Sequence, residues 1–189
     1  MSHFLEQVRP TREYRLIAEF YGDSKAARSQ VPLINHINEG VEIIGALSMR
    51  SEIDRFYAAC GYCIHPLFQN DLKLHTVGMA ALDSERPPKT KAVMLAMEYR
   101  WRANNWLSDK VGDGIMFDRP NAGPIPEVRA MLIADKVQNY KDFLAHHKGT
   151  HARSAELDLY LKTWLRHLNV NEGEFLRLSE VANRAVMQP

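Results

Sequence analysis

Between Ile34 and Leu47 the large apolar residues fall at steps of three and four: Ile34, Ile37, Val41, Ile44, Leu47. That spacing returns side chains to one face of an α-helix, whereas a half-buried strand needs strict alternation. The same period continues in "SEIDRFYAACGYCIH", where Ile53, Phe56, Ala59, Cys60 and Cys63 form the apolar stripe. Ser51 is a natural N-cap for that helix, and Pro66 predicts its end or a kink. Upstream, "REYRLIAEFYG" sets Tyr14, Ile17 and Tyr21 on one side and stops at Gly22. Further helices are expected over 89–109, 127–147, 154–168 (stripe Leu157, Leu161, Trp164, Leu168) and 172–186. The Gly- and Pro-rich stretch 110–126 reads as a loop. Alternating segments are scarce. The chain is therefore expected to be all-α: a single compact domain of about seven helices, its core over about 12–145 and C-terminal helices over 154–187.

Composition narrows the function classes. With 189 residues, 46% hydrophobic and 25% charged, the chain can bury one ordinary core. A formal charge of +1 provides no general field for long nucleic acid. No apolar run approaches the roughly 18 residues of a membrane span. The start, "MSHFLEQVRPTREYR", is too polar for a secretory signal, and two cysteines make no disulfide framework. A cytoplasmic setting follows as the expectation. P-loop, dinucleotide and nucleophile-elbow motifs are absent from the sequence.

Three residues stand out for chemistry. His36 lies among apolar neighbours in "PLINHINEGV", His65 closes the next helix, and Asp135 follows the apolar run "MLIA". A histidine on such a face is by itself ordinary core. A carboxylate there needs a cation, a donor network or a metal, because burying it alone is costly. Two imidazoles and a carboxylate suit Mn, Fe, Co or Zn.

The segments "ARSQVPLINHINEGVEIIGALSM", "IHPLFQND" and "MLIADKVQNYKDF" together resemble the HD phosphohydrolase superfamily, above all its Rel/Spo-type branch acting on guanosine alarmones. Ser29, Pro32 and His36 match the branch's opening motif, His65 its second histidine, and Ala134, Asp135, Lys136 and Asn139 its third motif. The resemblance implies an all-α fold, a metal held by His36, His65 and Asp135, and a small phosphorylated nucleotide as substrate: an alarmone, a deoxynucleoside triphosphate or a signalling nucleotide.

The departures cluster in one place. The family's metal-binding aspartate is Pro66 here, and its following Glu-Asp pair is replaced by Gln69 and Asn70. Amides can orient water but cannot act as a base near neutral pH. Three readings stay open. The metal survives and Glu39, Asp71 or Glu98 takes over the base's work, with Gln69 and Asn70 orienting water. Alternatively, the pocket is a silent nucleotide-binding or interaction module. In the third, the triad is a buried hydrogen-bond network, with Asp135 paired to a basic side chain.

For substrate contacts the candidates are Arg28, Arg100 and Asn139, arginine being suited to bidentate phosphate binding. Lys136, about 100° round the helix from Asp135, is expected to be structural or at the rim. Cys60 and Cys63 read as buried small residues, His146, His147 and His151 as surface, and Met94, Met97 and Met131 as core. The 154–168 stripe could cover the core or face a second copy, so a homo-oligomer stays open.

Overall fold

The computed structural model describes residues 3–21, 24–25, 32–68, 91–105, 125–146, 163, 166 and 168–186. These form seven α-helices: α1 His3–Val8, α2 Arg12–Tyr21, α3 Leu33–Ala46, α4 Glu52–Ile64, α5 Lys91–Asn105, α6 Pro126–His146 and α7 Glu172–Val186. A 3-10 turn, His65–Phe68, follows α4. The one β-type pairing among the described residues is an isolated bridge between Lys25 and Pro32. The all-α expectation holds, and no described helix is long and apolar enough to cross a membrane.

Helices α3 and α4 form the centre. α3 packs on α1, α2, α4, α6 and α7, while α4 packs on α1, α2, α3, α5 and α6. Their faces supply the fully buried Ile37, Ile43, Ile44, Tyr62 and Ile64, each stabilising the core by about 1.5–3 kcal/mol relative to exposure. α6 is buried continuously from residue 130 to 138, so it is enclosed on all sides, with Asp135, Lys136 and Gln138 buried among its apolar residues. Gly61 lets α4 and α5 approach closely: a Cβ there would lie 3.1 Å from Leu95 Cβ and 3.2 Å from the Ala92 carbonyl.

The ends of these elements follow local chemistry. Ser51 Oγ accepts from the Asp54 amide at 3.0 Å, the expected N-cap of α4. α3 ends at Ala46, one residue before the apolar period runs out, because Leu47 turns extended. Arg55 donates to the Leu47 carbonyl and Arg177 to the Ala46 carbonyl, satisfying oxygens that the helix end leaves open. Asn169 adopts the left-handed conformation before α7, and Arg129 fixes that turn through the Leu168 and Asn169 carbonyls. Asn171 Oδ1 then caps α7 by accepting from the Glu174 amide.

Three details differ from the sequence reading. α1 forms at the polar N-terminus, anchored by buried Leu5 and Val8. Ile53, expected in the α4 stripe, is 67% exposed in the first turn of α4. Met94, expected in the core, is 58% exposed on α5, whereas Met131 is fully buried. The regions 110–124 and 154–162 lie outside the described residues, as do Trp106, Trp164, His147 and His151.

Candidate metal centre

The three mutually packed helices α3, α4 and α6 meet at His36, His65 and Asp135. His36 stands in the first turns of α3, His65 at the C-cap of α4, and Asp135 within the buried stretch of α6. All three are buried, and one donor atom from each lies within 4.8 Å of the others. Two ligands of one ion at 2.0–2.2 Å are separated by at most about 4.4 Å, so the set is close to a metal-binding spacing.

Two ring nitrogens decide the character of the site. His36 Nδ1 and His65 Nε2 are buried without a hydrogen-bond partner. For His65 the proline explains which nitrogen is left over. In a continuous helix the Tyr62 carbonyl would accept from the amide of residue 66, but Pro66 has none. The carbonyl instead accepts from the backbone amide of His65, in a tighter turn, and from His65 Nδ1, which donates to it as well. The proton therefore sits on Nδ1, and Nε2 offers a bare lone pair.

Neither histidine compensates by taking up a proton. Burial pushes His36 down to about 3, with repulsion from His65 and Lys136 adding to it against attraction from Asp135. Burial also lowers His65, opposed by Asp135 and the Tyr62 carbonyl and helped by Lys136 and Arg100. Both rings are thus neutral near pH 7.

Asp135 is ionised. Burial acts to raise its pKa, but the ammonium of Lys136, together with the histidines, outweighs this and holds the carboxyl well below the usual range. With both rings neutral, Lys136 carries that effect. Its Nζ lies 2.6 Å from Asp135 Oδ2 and is itself buried. This corrects the rim position for Lys136: the long stem bends back to its neighbour, since a buried ammonium needs a counter-charge. Lys136 takes Oδ2, one of the two carboxylate oxygens.

Around the triad runs a polar chain that the sequence reading missed. Tyr62 OH donates to Gln138 Oε1 at 2.8 Å and lies 3.3 Å from His36 Nε2. Gln138 Nε2 donates to the His36 carbonyl at 2.8 Å and to Glu39 Oε2 at 3.3 Å. The Tyr62 ring crosses α3 at Gly40, where a Cβ would lie 2.0 Å from its Cε1. The available signal was a polar Gln138 in a buried run, one turn beyond Asp135.

The other candidates separate. Glu39 is buried within this polar chain. Arg100 is half-buried on α5 and close enough to lower the basicity of His65. Asn139 is half-buried on α6. Glu98 is buried beside Arg102 and Glu127, and burial first, then Glu127, raises its carboxyl. Arg28, Gln69, Asn70 and Asp71 lie outside the described residues. Cys60 and Cys63 are free and buried, and burial pushes the Cys60 thiol up to about 12. Compared with known proteins, the chain matches no family model, no curated protein and no solved structure.

Proposed function

We propose that this chain is a divergent HD-type, divalent-metal-dependent phosphohydrolase acting on a small phosphorylated nucleotide. One observation carries the reading: two neutral, buried imidazoles leave His36 Nδ1 and His65 Nε2 without partners, and both residues cluster with the ionised Asp135. A buried polar atom left unsatisfied costs about 1–3 kcal/mol, and a cation that accepts these lone pairs removes that cost. The donor set of two nitrogens and an oxygen suits Mn, Fe, Co or Zn. When bound, such an ion supplies Lewis acidity toward water and a phosphoryl oxygen.

His36, His65 and Asp135 are the ligands in this reading. Gln69, Asn70 and Asp71 orient water, with Glu39 a buried carboxylate one turn after His36 on α3. Arg28, Arg100 and Asn139 engage the substrate, and Arg100 is supported by its electrostatic influence on His65. The test is metal content after reconstitution with Mn or Co, for the wild type and Asp135→Ala. The expected result is stoichiometric metal in the first and none in the second, followed by release of phosphate or pyrophosphate from a nucleotide panel. Equal metal in both proteins would sink the reading.

The Lys136–Asp135 pair favours a second reading, a buried hydrogen-bond network that holds the helices together, in which lysine stands where a metal would. Such a network would take up no metal and show no nucleotide-dependent stabilisation, whereas a silent nucleotide-binding module would be stabilised by mass action without product.

A further inference from the structure

The hydrogen bonds around Gln138 form a chain with only one consistent arrangement of protons. Its amide nitrogen faces two acceptors, the His36 carbonyl and Glu39 Oε2. The reversed amide would set its oxygen against both of them, so the orientation is fixed by repulsion as well as by bonding. Gln138 Oε1 must then accept, and the Tyr62 hydroxyl spends its proton there. A phenol has one proton, so toward His36 Nε2 the Tyr62 oxygen can only accept. His36 therefore carries its proton on Nε2, which leaves Nδ1 as the lone-pair nitrogen, the same atom that is buried without a partner.

The same residue governs the other histidine through its backbone. The Tyr62 carbonyl, which Pro66 cannot engage and which accepts the His65 backbone amide, also holds the proton of His65 on Nδ1 and leaves Nε2 bare. One residue thus faces both rings, with ring centroids 6.0 Å from His36 and 4.5 Å from His65. Its approach to His36 depends on Gly40, since a Cβ there would lie 2.6 Å from the hydroxyl oxygen.

We propose that Tyr62 is the positioning residue of the metal centre: its hydroxyl and its carbonyl set opposite tautomers on His36 and His65, presenting Nδ1 of one and Nε2 of the other to a divalent cation. This rests on the metal-site reading above and adds the residue that makes the ligands ready before the ion arrives. A histidine's free nitrogen is defined by the bond its other nitrogen makes, and removing such outer partners weakens metal binding by about 10–100-fold.

The experiment uses the full-length chain labelled with 15N-histidine and freed of metal, read at neutral pH by long-range 1H–15N correlation. The His36 and His65 signals are assigned with His36→Gln and His65→Gln. In the wild type, His36 should show a protonated Nε2 and a bare Nδ1, and His65 the reverse. Tyr62→Phe keeps the ring and removes only the hydroxyl. It should abolish the pure His36 tautomer, leave His65 unchanged, and weaken Co binding about 10–100-fold in a titration followed by cobalt absorption. Pro66→Ala restores an amide that draws the Tyr62 carbonyl into an ordinary helical bond in place of its two bonds from His65, so it should mix the His65 tautomer alone. That gives a second readout if Tyr62→Phe does not fold.

An unchanged His36 tautomer in folded Tyr62→Phe, or an unchanged cobalt affinity, would overturn the positioning role while leaving the metal site standing. A wild type that takes up no cobalt would instead overturn the metal reading, and with it the ligand-presenting role, whatever the tautomers.

Discussion

Lys136 Nζ sits 2.6 Å from Oδ2 of Asp135, its immediate neighbour in the chain, with both side chains 6% exposed. Adjacent residues on a helix point about 100° apart, so this contact requires the lysine stem to curl back inside the core. The burial of α6 on all sides leaves no route to water, and the carboxylate is the compensating charge. The pair is therefore a cation already in place beside two neutral imidazoles.

Lys136 should then compete with a metal for Asp135. Lys136→Met should bind Co at least about tenfold more tightly than the wild type, because one positive charge no longer opposes the ion. The same substitution should lower stability by about 3–5 kcal/mol without metal, since it strands a buried carboxylate. Calorimetric titration and urea unfolding check the two halves, and an unchanged cobalt affinity would show that the lysine does not share the carboxylate with the ion.

Gly40→Ala tests whether the Tyr62 ring needs the gap in α3. The added carbon would lie 2.0 Å from Tyr62 Cε1, so ring or helix must move. Overpacking of this kind costs about 1–3 kcal/mol, against a helix-propensity gain of up to about 1 kcal/mol. A net loss in the urea midpoint is expected, and a stabilised variant would contradict the packing.

Acid should unfold the metal-free protein earlier than its carboxylates alone require. Burial lowers His36 from 6.5 to about 3, and His65 is lowered too. Between those values the unfolded chain binds protons that the folded chain refuses, so stability is complete above pH 6.5 and falls as pH drops through that window. For His36 the slope is roughly 1.4 kcal/mol per pH unit between those values, and His65 adds to it in the same direction. Asp135, lowered from 3.8, adds a further loss below that value. His36→Gln should flatten part of the upper slope, and a pH-independent midpoint between 7 and 4 would contradict the burial of neutral imidazoles.

The two thiols should be silent in the native state. Cys60 is pushed up to about 12 and Cys63 is raised as well, both by burial first. The thiolate is the reacting species, so a disulfide reagent at neutral pH should titrate two thiols in urea and essentially none before unfolding. Rapid native labelling would place the α4 stripe nearer solvent than its packing allows.

Much of this molecule is written in local pattern. The three- and four-residue steps between Ile34 and Leu47 gave α3 its buried face, Ser51 gave α4 its start, and Pro66 its end. Local pattern failed where neighbours decide. Ile53 matches the α4 stripe but stands exposed in the first turn, and Leu47 continues the period although two arginines from elsewhere close the helix before it.

The sequence by itself determined an all-α chain and named His36, His65 and Asp135, because periodicity and buried-polar cost are properties of neighbours along the chain. Tertiary structure alone decided that these three converge, that Lys136 turns inward, and that Tyr62 reaches Gln138 across Gly40. Those relationships depend on how α3, α4 and α6 pack, which joins residues as far apart in the chain as His36 and Gln138. No spacing along the chain records where a proton sits on an imidazole buried between them.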